Sequence, residues 1–193
     1  SNSNTFVNST AYLNGLYGFE LSESSSSNNI FNSSFYNNSN AGLIIINTAT
    51  ATNVVNQSFF FNNTIYGIYL KSLTSGGNNL VNSSVYNNSY GIYLNRTNNT
   101  VITNMSIYNN SNTDGQIYLQ SAVANNFSSF SLLGDGTRNY AISSDSNSGH
   151  NIFTNINISN FVIAGYNLNG TVSTDASAVN ATIINVGTLF NLG

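Results

Sequence analysis

The sequence predicts an all-β solenoid with about 24 residues per coil. The pentapeptide Tyr-Gly-Ile-Tyr-Leu occurs at residues 66–70 and again at residues 90–94. Weaker copies occur at residues 17–21, 41–45 and 114–118, so that glycines recur at a nearly constant spacing: Gly18, Gly42, Gly67, Gly91 and Gly115. A fixed period in the low twenties is typical of solenoids, in which each coil buries its apolar face against the next coil.

Each period predicts three short strands separated by turns rich in Asn, Ser and Gly. One strand contains the Gly-Ile-Tyr-Leu segment. The other two surround aliphatic or aromatic positions that recur with the same period, namely Ile30, Val54, Leu80 and Ile102 for the second strand and Phe35, Phe60, Val85 and Ile107 for the third. Asn suits the corners because it tolerates the left-handed backbone conformation and can cap its own backbone.

The length and composition predict one domain over residues 1–193, with roughly seven coils. Regular repeats span residues 4–165, and residues 166–193 form a drifted terminal coil or loop. Hydrophobic residues make up 40% of the chain, which is enough for a core. Proline is absent, as expected where nearly every N–H joins a ladder, and the absence of cysteine excludes disulfides and thiolate metal sites.

Charge is scarce, with three Lys/Arg, six Asp/Glu and a formal net charge of −3. Nucleic-acid binding requires a basic surface that three scattered cations cannot form. No apolar run in this segment reaches the length of a membrane span. The sequence therefore predicts no nucleic-acid partner, no membrane span and no cofactor.

Asparagine is in large excess, since 40 of the 193 residues are Asn. Stacked Asn side chains can hydrogen-bond from one coil to the next. The repeat predicts a structural ladder of this kind, pointing inward, at Asn32, Asn56, Asn82, Asn104 and Asn155.

These repeats resemble the right-handed parallel β-helix proteins with an Asn-rich, Gly-Ile-Tyr/Leu-type repeat, which are widespread among secreted and cell-surface proteins, particularly archaeal ones. The resemblance covers roughly residues 4–165. It implies a right-handed parallel β-helix and an extracellular or cell-surface location. It does not imply one function, because the group includes polysaccharide lyases and hydrolases, copper-site maturation proteins, adhesins and surface-layer components.

The two ends resemble the middle of a coil. Residues 4–12 match the second and third strands, and so do residues 181–190. Open strand edges recruit further strands. Two interpretations remain: a segment of a longer β-helix, or a subunit that stacks on copies of itself.

The ionisable residues do not predict a catalytic or metal site. Most of the six acids fall in different positions of the repeat; the exception is the group of Asp114, Asp135 and Arg138, which a turn ion pair beside Asp135 explains more simply than a functional site does. His150 is the single histidine and is expected in a turn. Because a hydrolytic site requires carboxylates close together, the sequence predicts that the chain is not an enzyme.

Outward-facing aromatic residues are the stronger candidates for an interaction site. Side chains alternate along a strand, so the neighbours of the inward third-strand column point outward. They form one row at Tyr36, Phe61, Tyr86 and Tyr108, and a second row at Tyr69, Tyr93 and Tyr118. Three roles remain open for these rows: stacking that stabilises the sheet, lateral contact with other copies, and a platform for sugars.

The sequence contains fifteen Asn-X-Ser/Thr motifs. The composition alone yields about ten, because Ser and Thr are frequent. Asn37, Asn62, Asn87, Asn95 and Asn109 are expected at turns, where a glycan can project into solvent. The candidate glycosylation sites are Asn37, Asn62, Asn87, Asn95, Asn98, Asn109, Asn126 and Asn169.

Together these features predict an extracellular structural protein, a subunit or segment of a glycosylated filament, sheath, surface layer or stalk. Its partners would be copies of itself, bound through the open ends and aromatic rows, together with covalent N-glycans and external glycans. The alternative is a carbohydrate-binding or polysaccharide-degrading β-helix, adhesin or lyase-like, whose active surface is not evident from the sequence.

Overall fold

The computed structural model describes residues 2–46, 52–73, 77–137, 140–168, 177–179 and 182–192. Within these ranges the chain contains β-strands and no helix. The strands are β1 (Thr5–Val7), β2 (Thr10–Tyr12), β3 (Tyr17–Ser22), β4 (Asn29–Phe31), β5 (Ser34–Tyr36), β6 (Ala41–Ile46), β7 (Val54–Asn56), β8 (Phe59–Phe61), β9 (Tyr66–Leu73), β10 (Asn79–Val81), β11 (Ser84–Tyr86), β12 (Tyr90–Thr97), β13 (Val101–Thr103), β14 (Ser106–Tyr108), β15 (Ile117–Gln120), β16 (Asn126–Leu133), β17 (Tyr140–Ser144), β18 (Ile152–Leu168), β19 (Ser177–Val179) and β20 (Thr182–Leu192).

The strands stack in three parallel columns. The first column contains β1, β4, β7, β10 and β13, the second contains β2, β5, β8, β11 and β14, and the third contains β3, β6, β9, β12, β15 and β17. Strands β16 and β18 are long enough to span more than one column. Strands β1 to β17 form six turns of about 25 residues, and β18 to β20 continue the stack. The predicted all-β parallel solenoid is confirmed.

The structure describes only part of residues 166–193, where the sequence predicts a drifted terminal coil or loop. Strand β20 lies parallel to β18, with Tyr166 opposite Phe190 and a register irregularity between Phe161 and Ala164. Residues 169–176, 180, 181 and 193 lie outside the described residues.

The core is a set of inward columns that match the period of the sequence. In the first column Ile30, Val55, Leu80 and Ile102 lie opposite one another, so the inward residue of β7 is Val55 and not Val54. All four side chains are fully buried. Full burial of such a side chain contributes about 1.5–3 kcal/mol, so every turn adds several favourable terms to the stability of the stack.

The glycine column marks the closest approach between coils. A Cβ placed on Gly18, Gly42 or Gly67 would lie 2.7–2.8 Å from the carbonyl oxygen of the glycine in the next coil. A Cβ on Gly91 would meet the carbonyl oxygen of Gln116 at 2.7 Å. Gln116, and not Gly115, therefore occupies the fifth position of this column, and the prediction for Gly115 is wrong by one residue. Gly115 instead adopts a positive φ of 144° at the turn before β15.

Two buried Asn ladders hold the corners together. The first runs through Asn28, Asn53 and Asn78, with side-chain bonds of 3.0 and 3.1 Å between Nδ2 and the next Oδ1. The second runs through Asn14, Asn38, Asn63, Asn88 and Asn110, with bonds of 2.8–3.0 Å. Most ladder amides donate also to a carbonyl, as Asn63 Nδ2 does to Phe35 O at 3.1 Å. Buried amides with satisfied donors and acceptors stabilise a single register.

The ladder predicted from the sequence occupies a different place. Asn32, Asn82 and Asn104 are exposed, with left-handed φ values of 49°, 50° and 52°, so the prediction that this ladder points inward is wrong. Some coil-to-coil bonds do form on the outside, from Asn82 to Asn56 at 3.0 Å and from Asn104 to Asn82 at 2.7 Å. Asn56 lies in β7 opposite Phe31, and Gln57 stands at the left-handed corner position. Asn155 also has a left-handed φ and is exposed.

The first buried ladder has one defect. Thr100 occupies the position between Asn78 and Asn125, and its shorter side chain leaves both Asn78 Nδ2 and its own Oγ1 buried without a hydrogen-bond partner. Its backbone N–H still donates to Asn125 Oδ1 at 3.0 Å, and the ladder resumes from Asn125 to Asn151. An unsatisfied buried polar group costs about 1–3 kcal/mol.

Thr100→Asn should therefore stabilise the fold by about 1–2 kcal/mol, because the new amide can accept from Asn78 and donate to Asn125. Chemical denaturation of the single variant measures the gain. In an Asn78→Ala background the same substitution should gain clearly less, since one of the two new bonds has no donor. An equal gain in both backgrounds would show that the ladder bond is not its source.

Candidate functional site

The outward side of the third column carries a cluster of tyrosines, which we call the tyrosine face: Tyr66, Tyr69, Tyr90, Tyr93 and Tyr118. The register places Tyr66 opposite Tyr90, and Tyr69 opposite Tyr93. Tyr118 follows Tyr93 in the next coil. The face arises because the outward positions of the repeated Tyr-Gly-Ile-Tyr-Leu segment are aromatic in two successive coils.

The rings of the tyrosine face pack on one another. The centroids of Tyr69 and Tyr93 lie 5.1 Å apart with an angle of 13° between planes, and those of Tyr66 and Tyr93 lie 5.3 Å apart at 16°. Tyr93 and Tyr118 lie 5.3 Å apart at 36°. Because neighbouring rings cover much of each other's faces, the face presents mainly ring edges and hydroxyl groups to solvent.

The hydroxyl groups of the tyrosine face have raised pKa values. Burial raises the pKa of all five tyrosines above the usual value of about 10. The proximity of Tyr66 and Tyr69 raises the pKa of Tyr93 further, and the negative charge of Asp114 raises that of Tyr90. The neutral phenols can therefore donate hydrogen bonds over the whole physiological pH range.

Two carboxylates lie at the later end of the tyrosine face. Tyr90 donates its hydroxyl to Asp114 Oδ2 at 3.3 Å. Both Asp145 and Asp114 raise the pKa of Tyr118, after burial, so both charges act on the same ring. Asp145 accepts from Ser121 N at 2.9 Å and from Ser148 Oγ at 2.8 Å, which fixes it in its turn.

A groove with two cations, which we call the cationic groove, lies next to the tyrosine face, near the carboxyl ends of strands β9 and β12. Its volume is about 250 Å³, and its lining residues are Lys71, Asn95, Arg96, Gln120 and Ser121. The groove and the tyrosine face are joined by hydrogen bonds, because the Tyr93 hydroxyl and the Asn95 amide both donate to Gln120 Oε1, the latter at 2.8 Å. The sequence interpretation overlooked this groove.

The other outward row, predicted at Tyr36, Phe61, Tyr86 and Tyr108, is a continuous aromatic stack, which we call the aromatic row. Its centroid distances are 4.7–5.1 Å and its interplanar angles 1–7°, from Tyr12 through Tyr36, Phe61 and Tyr86 to Tyr108. The spacing equals that of the strands, about 4.8 Å, so each ring stacks directly on the next. Such stacking stabilises the sheet and leaves only ring edges for external contact.

A larger groove of about 500 Å³ lies at the corner between the first and second columns. Its lining consists mostly of amides and hydroxyls, together with the apolar side chains of Met105 and Phe130, and none of its lining side chains is charged. It can hydrogen-bond a neutral ligand but provides no group for proton transfer. The ionisable groups converge on the tyrosine face instead.

The candidate glycosylation residues fall in different surroundings. Asn37, Asn62, Asn87 and Asn109 are exposed left-handed corner residues that stack above one another. At a spacing of about 4.8 Å per coil, glycans on adjacent members would collide. Asn95, expected at a turn, lies half-buried in β12, and Asn98 is half-buried and accepts from Val123 N. Asn126 is exposed in β16, Asn169 lies outside the described residues, and glycosylation stays a prediction.

The remaining ionisable residues form no cluster in the described part of the chain. Asp135 caps its own turn by accepting from Thr137 N at 2.9 Å, and Arg138, its expected partner, lies outside the described residues. His150 is exposed with a left-handed φ of 52°. No group of three His, Cys, Asp or Glu side chains that could hold a metal is found there, and no helix in that part could cross a membrane.

The fold alone assigns the chain to a structural class. It is a parallel β-solenoid with ionisable groups on one sheet face. Neither protein-family models nor curated proteins match the sequence. Solved structures match over the whole chain. The A-module of mannuronan C-5 epimerase AlgE4 from Azotobacter vinelandii superposes with a TM-score of 0.87 at 18% identity, covering 100% of this chain and 56% of that one.

Two further structures show the same fold. A mutant of the periplasmic alginate epimerase AlgG gives a TM-score of 0.67 at 14% identity, covering 96% of this chain and 46% of the other. Pectate lyase Pel9A gives 0.64 at 18% identity, covering 89% and 50%. The chain thus spans about half the length of these structures. At such identities the likeness shows the fold alone.

The prediction that the chain is not an enzyme is corrected by these comparisons. An epimerase module and a lyase are built on this fold, so the absence of paired carboxylates in the repeat does not argue against polysaccharide chemistry. The prediction considered only pairs of adjacent acids. The ionisable groups on and beside the tyrosine face are instead tyrosines, single aspartates and cations, which the strand register brings together from different coils.

The raised tyrosine pKa values predict a loss of stability in alkaline solution. A group whose pKa is higher in the folded state contributes its full stabilisation below the unfolded pKa, here about 10, and loses it as the pH rises further. The melting temperature should therefore fall above about pH 10. Tyr93→Phe should show a smaller fall than the parent chain, measured by circular dichroism, whereas equal slopes would contradict the assignment.

Proposed function

We propose that this chain is the β-solenoid of a polysaccharide-active protein and that a sugar chain lies along the tyrosine face. The single observation behind the proposal is the convergence, on one sheet face, of phenols, carboxamides, carboxylates and cations in a chain with only 5% charged residues. Support for the substrate class comes from the fold, since proteins named for mannuronan, alginate and pectate share it.

The packing of the rings decides how sugar would be held. The faces of Tyr69 and Tyr93 are occupied by neighbouring rings, so a sugar ring finds little free aromatic surface to stack on. The outward groups are hydroxyls and the amides of Asn95 and Gln120. Recognition therefore relies on hydrogen bonds, which distinguish sugar hydroxyl patterns better than stacking does.

The pair formed by Asp114 and Tyr90 is the candidate for proton transfer. An exposed carboxylate and a phenol that donates to it at 3.3 Å supply one acceptor and one donor within reach of the same bound group. Burial and the charge of Asp114 raise the pKa of Tyr90, so the phenol stays protonated and is the member of the pair that can donate a hydrogen bond. Asp114 would accept the proton removed from the sugar.

The proposal is tested by incubating the chain with mannuronan, pectate and a neutral glucan. Calorimetry follows binding, and NMR and the ultraviolet absorbance of unsaturated sugars follow the chemistry. We expect one acidic polymer to bind and to change. Asp114→Asn should lower the rate by about 100-fold or more and leave binding within a few-fold.

Glu23→Gln is the matched control, because Glu23 is exposed in the first turn, four turns from Asp114. It should retain the full rate. A parent chain that neither binds nor alters any of these polymers would overturn the proposal. Equal rates for Asp114→Asn and the parent would remove Asp114 from it.

A structural role through self-association is a second proposal, supported by exposed apolar side chains near the aromatic row in the first turn. Leu13 is 73% exposed and Leu16 60%. Exposed apolar surface of this kind favours contact with another copy. Sedimentation velocity should then show concentration-dependent association that Leu13→Ser with Leu16→Ser weakens; a monomer at all concentrations would exclude it.

An extracellular or periplasmic location accompanies both proposals. One structural neighbour is named as periplasmic, and polysaccharides of the kinds named above lie outside the cytoplasm. Covalent N-glycans at the exposed corner residues would fit that location, with alternate coils occupied because of the close spacing.

A further inference from the structure

The cationic groove contains an unusual share of the positive charge of this chain. Only three of the 193 residues are Lys or Arg, and two of them, Lys71 and Arg96, line this one groove. They come from successive coils: Lys71 lies opposite Asn95, and Arg96 is the next residue. Register alone therefore places the two cations together.

Neither cation is neutralised by a protein carboxylate in the described part of the chain. No ion pair of Lys71 or Arg96 occurs among those residues. Asp145 contacts the groove lining, because its Oδ1 accepts from Ser121 N at 2.9 Å and its Oδ2 accepts from the Ser121 hydroxyl at 3.4 Å. Asp145 Oδ1 also accepts from Ser148 Oγ at 2.8 Å and from Asn147 N at 3.2 Å, so the hydrogen bonds of this carboxylate go to Ser121 and to its own turn and not to either cation.

The other lining groups complete a site for an anion. Gln120 accepts two hydrogen bonds through Oε1, from Tyr93 and Asn95, which leaves its NH₂ group as the part that can contact a ligand. Two cations and an amide donor thus line one concavity, and the Ser121 hydroxyl beside them donates to Asp145 Oδ2 at 3.4 Å. Its volume of about 250 Å³ is smaller than the roughly 300–1,000 Å³ of typical ligand pockets, which suits one charged sugar unit.

We infer that the cationic groove is a subsite for the carboxylate of one acidic sugar unit, and that it selects uronate-containing polymers over neutral ones. The inference rests on the proposed function and specifies its substrate class. Arg96 can bind a carboxylate with two parallel N–H bonds, and Lys71 supplies a second charge. Tyr93, linked to the groove through Gln120, joins this subsite to the tyrosine face, where the rest of the sugar chain would lie.

The experiment compares four proteins: the parent chain, Lys71→Gln with Arg96→Gln, the charge-conserving Lys71→Arg, and Glu23→Gln as a surface-charge control two turns before Lys71. Binding is measured by calorimetry with mannuronan or polygalacturonate, whichever the parent binds better, and with its methyl-esterified form. The parent should prefer the free acid by at least about tenfold, and more strongly at low salt. The double variant should lose about tenfold or more for the acid and nothing for the ester.

Glu23→Gln should bind like the parent, and Lys71→Arg, which keeps the charge, should retain a clear preference for the free acid that the double variant loses. Both substituted side chains of the double variant are exposed, so its melting temperature should match that of the parent and separate lost binding from lost folding. A parent that binds acid and ester equally, or a double variant that binds the acid as tightly as the parent, would overturn the subsite and leave the proposed function standing. A parent chain that neither binds nor alters any polysaccharide would overturn the proposed function itself.

Discussion

The in-register stacking of successive coils is the constraint on which every other feature depends. Parallel strands about 4.8 Å apart bring equivalent residues of successive coils into direct contact. One unsuitable residue therefore disturbs the packing of the equivalent residues in both adjacent coils. Glycine is required at Gly42 and Gly67, where an added Cβ would lie 2.8 Å from the carbonyl oxygen of the next coil. Asn is favoured at buried corners because its amide can donate and accept along the same axis. The low charge follows as well, since like charges stacked in adjacent coils would repel.

The same constraint explains which parts of the fold the sequence predicted. Period, strand number and inward aliphatic columns recur in register, so counting along the chain was enough to find them. The prediction drifted where one coil changed length: Asn63 and Asn88 of the buried ladder are 25 positions apart, but Asn88 and Asn110 are only 22 apart. Gly91 and Gln116 are 25 positions apart, so extrapolating a glycine spacing of 24 selects Gly115, whereas pairing selects Gln116. A period locates a column only while the coil length holds.

The Asn ladders show a different limit of sequence reasoning. With 40 Asn in the chain, several columns are rich in Asn, and frequency does not tell which one points inward. The available signal was the pair Asn-Asn at residues 37–38, 62–63, 87–88 and 109–110. In each pair the first residue adopts the left-handed corner conformation and is exposed, and the second is buried in the ladder. The break at Thr100, with two unsatisfied polar atoms, shows how strictly the position requires an amide.

The repeat predicts Tyr69, Tyr93 and Tyr118 of the tyrosine face, but the cationic groove escaped the sequence analysis because its residues share no motif. Lys71 and Arg96 lie in successive coils, but the strand register from Lys71 leads to Asn95, so the two cations occupy neighbouring positions of the repeat and not the same one. A search along the chain for paired acids could not find a site made of one side chain per coil. In a solenoid the chemistry of a face is distributed by the period, and residues one coil apart are as close as neighbours in a conventional active-site loop. Repeat proteins can thus build an ionisable groove from very few charges, provided that the surrounding stack keeps those charges in register and unpaired.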